Sequence, residues 1–72
     1  MNEQIFTLQH EHIALCDLLK ATALAPSGGV AKLMIAAGDV LVDGAIETRK
    51  TAKIRPGMVV ECLGEQIKVV AA

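Results

Sequence analysis

Ser27-Gly28-Gly29-Val30-Ala31-Lys32-Leu33-Met34-Ile35-Ala36-Ala37-Gly38-Asp39-Val40-Leu41-Val42-Asp43-Gly44 is the stretch in which the chain changes its hydrophobic period. In its first half the apolar residues recur at helical spacing, with Ala31, Met34 and Ile35 on one face. Ser27 is a preferred N-cap and Gly38 a preferred residue just past a helix end, which predicts a helix over 30–37 with Lys32 on its outer side. From Val40 the period is two. Val40 and Val42 share a face, and Asp43-Gly44 is a strong signal for a two-residue hairpin turn. A short capped helix running directly into a hairpin is the unit from which the rest is read.

Upstream, Ile13, Cys16, Leu19 and Ala23 form a helical stripe that Leu15 and Leu18 widen. Pro26 disfavours helical geometry at Ala25, so this first helix is expected over 13–24. Ile5-Phe6-Thr7-Leu8 before it reads as a short edge strand. Downstream, residues 45–47 start the return strand of the hairpin, and 48–55 continue it in polar, extended form until Pro56-Gly57 turns the chain. Residues 58–62 and 66–70 then make a second hairpin around Leu63-Gly64-Glu65. The expected architecture is a single compact α+β domain over 1–72: two short helices, arranged like a helix-turn-helix, followed by β-hairpins with four short strands.

At 72 residues there is one core to build, and about 60% of the unfolded surface to bury in building it. Phe6 is the only aromatic residue, so Val, Ile, Leu and Met must fill that core and little volume is left for a deep catalytic pocket. No apolar run approaches the roughly 18 residues of a membrane span, and the N-terminus has neither the basic start nor the cleavage site of a secretory signal. A cytoplasmic location is therefore expected, with Cys16 and Cys62 as buried free thiols.

The net charge is −1, but the charges are not evenly spread. Glu3, Glu11 and Asp17 stand alone in residues 1–17. Residues 18–60 set Lys20, Lys32, Arg49, Lys50, Lys53 and Arg55 against only Asp39, Asp43 and Glu47, leaving a cationic middle between acidic ends.

With these residues in register, the chain resembles the RNA-binding domain of ribosomal protein S-four, and within that family its free-standing bacterial members. The resemblance rests on Ser27-Gly28-Gly29-x-Ala31-Lys32-x-x-Ile35-x-x-Gly38-x-Val40-x-Val42-Asp43-Gly44. Leu18-Leu19-Lys20, Glu47-Thr48-Arg49-Lys50 and Pro56-Gly57 extend it to roughly 16–60. It implies that the second helix and the hairpin after it bind structured RNA, mainly through phosphates, with Ser27, Gly28, Gly29, Lys32, Arg49, Lys50 and Lys53 at the contact. The chain departs from the family at Leu33 and Ala36, where relatives often carry basic residues, and at Ala23, where a glycine is common.

The residues support that contact by their own chemistry. Ser27-Gly28-Gly29 opens a helix, where unpaired backbone N–H groups and the dipole attract an anion, and glycine lets a phosphate come close. An ordinary helix cap beside a solvated lysine is the plainer reading of the same residues. In an extended 49–55 segment Arg49, Thr51, Lys53 and Arg55 share one side at roughly 6.6–6.8 Å intervals, a row suited to a phosphate backbone. The plainer reading there is a charged edge that prevents aggregation. His10-Glu11-His12 matches no common zinc spacing and reads as a solvated segment, so no metal or cofactor is expected. Neither a Ser/His/Asp order, nor paired carboxylates in a pocket, nor a phosphate-binding loop of the nucleoside-triphosphatase kind emerges, so no catalytic residue is assigned. The lack of surface aromatics argues against stacking on single-stranded bases.

The function expected is non-catalytic docking of a structured RNA, ribosomal or transfer RNA, by a monomer. The site would comprise Ser27, Gly28, Gly29, Lys32, Arg49, Lys50, Lys53 and Arg55, with Lys32 and Lys53 brought into one contact by the hairpin. The alternative is a protein-interaction module of the same fold with weak RNA affinity, as Leu33, Ala36 and the acidic ends suggest.

Overall fold

Val59-Val60-Glu61-Cys62 alternates half-buried and buried residues, the pattern of a strand with one face on a core. It is the β6 strand of the computed structural model, which describes residues 2–72. In chain order the elements are β1 (Asn2–Leu8), β2 (Ile13–Ala14), α1 (Leu15–Ala21), α2 (Gly28–Ala36), β3 (Leu41–Val42), β4 (Ala45–Ile46), β5 (Lys53–Ile54), β6 (Val59–Cys62) and β7 (Glu65–Ala71). Five strands form one sheet in the order β1-β7-β6-β3-β4, and β2 pairs with β5 in a second, two-stranded sheet.

The register decides which face is buried. Val60 lies opposite Ile67 on one side and Val42 on the other, and Val69 lies opposite Phe6. These residues turn toward the helices. Leu15, Leu18 and Leu19 of α1, Ile35 of α2, and Val40, Ile54, Val60, Ile67 and Val69 are fully enclosed. Burial of side chains this size stabilises by about 1.5–3 kcal/mol each, which is how a domain with one aromatic residue holds together. No polar side chain is buried with them among the described residues.

The α+β domain is as expected in class, and the α2-to-hairpin unit matches closely. Ser27 is the N-cap, its hydroxyl accepting the Val30 N–H at 3.2 Å. Gly38 follows the helix with φ +83°, the left-handed conformation that glycine takes at least cost. Asp43 and Gly44 both have positive φ and join β3 to β4 as a two-residue turn. Leu63 and Gly64 do the same between β6 and β7, so Glu65 opens β7 opposite Cys62 instead of sitting in the turn.

Several boundaries differ. The second helix starts at Gly28, two residues before the expected 30–37, because helical geometry is adopted directly after the Ser27 cap. The first helix is shorter than 13–24. Its start is delayed because Ile13 and Ala14 pair with Ile54 and Lys53 as β2. Its end comes at Ala21, ahead of Pro26, because Ala23 adopts φ +61° and turns the chain out of the helix. Segment 48–55 is not one continuous return strand. It is interrupted by a turn at Lys50 and Thr51, and only Lys53 and Ile54 are strand. Finally, β2 is a strand before the helices that was not expected, in addition to the expected one at 5–8. The 5–8 strand extends to Asn2 and is an edge strand as expected, yet it pairs parallel with β7, a partner from the far end of the chain.

Candidate nucleic-acid interface

The start of α1 fixes the basic segment. The first N–H groups of a helix have no partner inside it, and Ala14, at the N-cap, brings no side-chain acceptor. The loop supplies acceptors instead. The Leu15 N–H donates to the Ala52 carbonyl at 2.9 Å, and the Cys16 N–H donates to the Lys50 carbonyl at 3.1 Å. A further bond from the Ala52 N–H to the Arg49 carbonyl closes the turn between them. With its carbonyls engaged below, the segment sends its charged side chains outward.

Alternation does the rest. Ala52 and Ile54 are buried, whereas Thr51, Lys53 and Arg55 are exposed. Arg49, Thr51, Ala52, Lys53 and Arg55 line an open groove of about 520 Å³. Three of the expected cations thus share one groove, together with Thr51 on the side assigned to it. Lys50 does not line the groove; its backbone carbonyl caps α1. Pro56 and Gly57 end the segment in a turn closed by the Met58 N–H on the Arg55 carbonyl.

Glu47 was not among the expected site residues. Its carboxylate accepts three bonds from Arg49: from Nη2 at 2.8 Å, from Nε at 3.1 Å and from the backbone N–H at 3.1 Å. The signal was present in the sequence, since acid and base at i and i+2 of an extended segment lie on one face. These bonds, the side-chain ones first, hold the Glu47 carboxyl down at about 2. The pair raises the Arg49 guanidinium in turn. A lowered carboxyl keeps the pair intact above the ordinary carboxylate range, and the pair is lost only as pH falls from that range through about 2.

The α2 start is the other element. Ser27, Gly28, Gly29 and Lys32 do not line the groove. Neither glycine has a positive φ, and a Cβ would meet nothing at Gly28 and only the Ser27 hydroxyl, at 3.8 Å, at Gly29. The fold therefore does not require glycine at either place. Lys32 is exposed on the outer side, as expected, beside Leu33, which is 71% exposed.

Other chemistry is sparse. Cys16 and Cys62 are buried and free, as the sequence reading had it, and burial first, then Asp39, pushes the Cys62 thiol up, away from the reactive thiolate. His10 and His12 are exposed, and no group of three or more metal-ligating side chains occurs among the described residues. No helix among them is long and apolar enough to cross a membrane.

Comparison with known proteins identifies the family of the fold. The family model described as S4 domain matches residues 6–70. The Escherichia coli (strain K12) protein named "Putative RNA-binding protein YbcJ" is 51% identical over 63 residues, covering 88% of this chain and 90% of its own. A Shigella flexneri protein named "Uncharacterized protein YbcJ" matches to the same extent. The solution structure of YbcJ from E. coli, described as revealing an alfaL motif involved in RNA-binding, superposes with a TM-score of 0.74 at 49% identity. It covers 99% of this chain and 91% of that one.

Proposed function

The chain belongs to the S4 domain family, and from that premise we propose that it is a non-catalytic, cytoplasmic protein that docks a structured RNA, ribosomal or transfer RNA, as a monomer. The groove carries this reading: Arg49, Lys53 and Arg55 converge on one open surface whose backbone is anchored to α1. Guanidinium and ammonium groups around such a groove suit phosphate oxygens. The α2 start provides the second contact, through the open N–H groups of Gly28 and Gly29 and through Lys32. Two glycines that the fold does not require support close approach of a ligand there, since Gly costs a helix up to about 1 kcal/mol relative to Ala. The relative described as an RNA-binding protein supports the same ligand class.

Fluorescence anisotropy with labelled, unfractionated transfer RNA and ribosomal RNA tests the proposal. With about four cations engaged, log K should fall against log salt with a slope near −3, taking the single-strand value of about 0.7 per contact as a lower guide. Absence of binding at low salt, or a flat titration, overturns it. The exposed Leu33, together with Val30 at 38% exposure on the same helix, favours a second reading in which α2 docks a protein. A flat salt titration points to that one.

A further inference from the structure

Resting on the RNA reading above, we propose that Glu47 is a positioning residue: it holds Arg49 as a preset fork for a phosphate of the RNA backbone. A guanidinium carries five N–H donors in one plane. Glu47 occupies one edge of it, taking Nε–H and one Nη2–H. The end-on edge, one N–H from each terminal nitrogen, remains for a second anion, and two parallel donors match two phosphate oxygens.

The carboxylate is the sheltered partner and the guanidinium the presented one. Their side chains are 18% and 79% exposed, and Arg49 lines the groove. The Glu47 backbone N–H donates at 3.0 Å to the carbonyl of Val40, a fully buried residue, which ties the holder to the core. A long side chain fixed in this way has less freedom to lose when RNA arrives. An acidic residue next to an RNA groove thereby aids binding.

The opposite reading is that Glu47 merely neutralises Arg49 and repels RNA, and substitution separates the two by sign. Glu47→Gln removes a negative charge, so neutralisation predicts tighter binding. A lost fork predicts weaker binding, by roughly 3- to 10-fold, the cost of ordering a freed side chain. Arg49→Lys keeps the charge without the fork and should weaken binding by a similar factor. The double variant Glu47→Gln, Arg49→Lys should be no worse than either alone. The loss should be equal on transfer RNA and ribosomal RNA, because phosphate is common to both. Anisotropy gives the affinities, and an unchanged thermal midpoint shows that each variant folds. Tighter or unchanged binding by Glu47→Gln, additive losses in the double variant, or a loss on one RNA alone overturns the proposal. If Lys53→Glu with Arg55→Glu leaves RNA binding intact, the RNA reading itself fails, whatever Glu47 does.

Discussion

On the proposed RNA reading, the 47–55 segment and the start of α2 would offer phosphate two different kinds of partner. In the segment the backbone is occupied, with carbonyls of Lys50 and Ala52 capping α1, and the side chains bring the charge. At α2 the backbone brings the donors, and the side chains around Lys32 are small or apolar: Gly28, Gly29, Val30, Leu33 and Ala36. Side-chain cations dominate attraction and its salt dependence, whereas backbone donors act at short range and demand close fit. If both regions meet RNA as proposed, the first would draw it in and the second would set how it sits.

The hardest blow to that comparison is charge reversal in the groove. Lys53→Glu with Arg55→Glu should weaken RNA binding by about two orders of magnitude, on the basis of about 1.5–3 kcal/mol for a charge-assisted contact. The loss should shrink in high salt, and the thermal midpoint should move by no more than about 0.5 kcal/mol allows, because both side chains are exposed. Lys32→Glu should cost less, about tenfold, since one charge is reversed. Lys68→Glu is the control. Lys68 pairs with Glu3 at 3.2 Å on the exposed sheet face, so its reversal should change RNA binding little. Equal losses at Lys32, Lys53 and Lys68 would mean that net charge alone acts.

Smaller effects sharpen the α2 half. Gly28→Ala and Gly29→Ala should each raise stability by up to about 1 kcal/mol while weakening RNA binding. For a domain this size that is a rise of up to about 4–8 °C in the melting midpoint. A gain in stability with unchanged affinity would remove α2's backbone from the contact. Ala23→Gly, in the left-handed turn after α1, should stabilise by about 0.5–1 kcal/mol with no effect on RNA, as calorimetry and anisotropy would register.

Much of this was legible in the sequence where the signals are local. Ser27, Gly38 and Asp43-Gly44 each demand a particular backbone within a few residues, and each was read correctly. The one-sided display of Thr51, Lys53 and Arg55 followed from strand alternation, although only Lys53 and Ile54 are strand. What escaped reading depended on distant partners. Ile13 and Ala14 suit a helix by pattern, and pairing with β5 takes them from it. Ala23 gives no sign of a left-handed conformation except as the place where relatives often have glycine. The role of Lys50 as a cap for α1 lies in its carbonyl, which no side-chain pattern reveals. The same is true of β1, whose parallel partner β7 comes from the far end of the chain.

That pairing sets the order of assembly. Asn2 lies opposite Glu65 and Leu8 opposite Ala71, so every β1–β7 contact closes a loop of most of the chain. The helices, by contrast, form from neighbours, and the β3–β4 and β6–β7 hairpins each turn on two residues. Contacts across such a separation come late in folding and slow it, because the loop entropy is lost before the contact compensates. The groove does not rest on them, since its backbone is held by α1 and β2. Hydrogen exchange should then find the β1 amides opening at lower free energy than those of α1. Detachment of β1 should leave the groove cations in place.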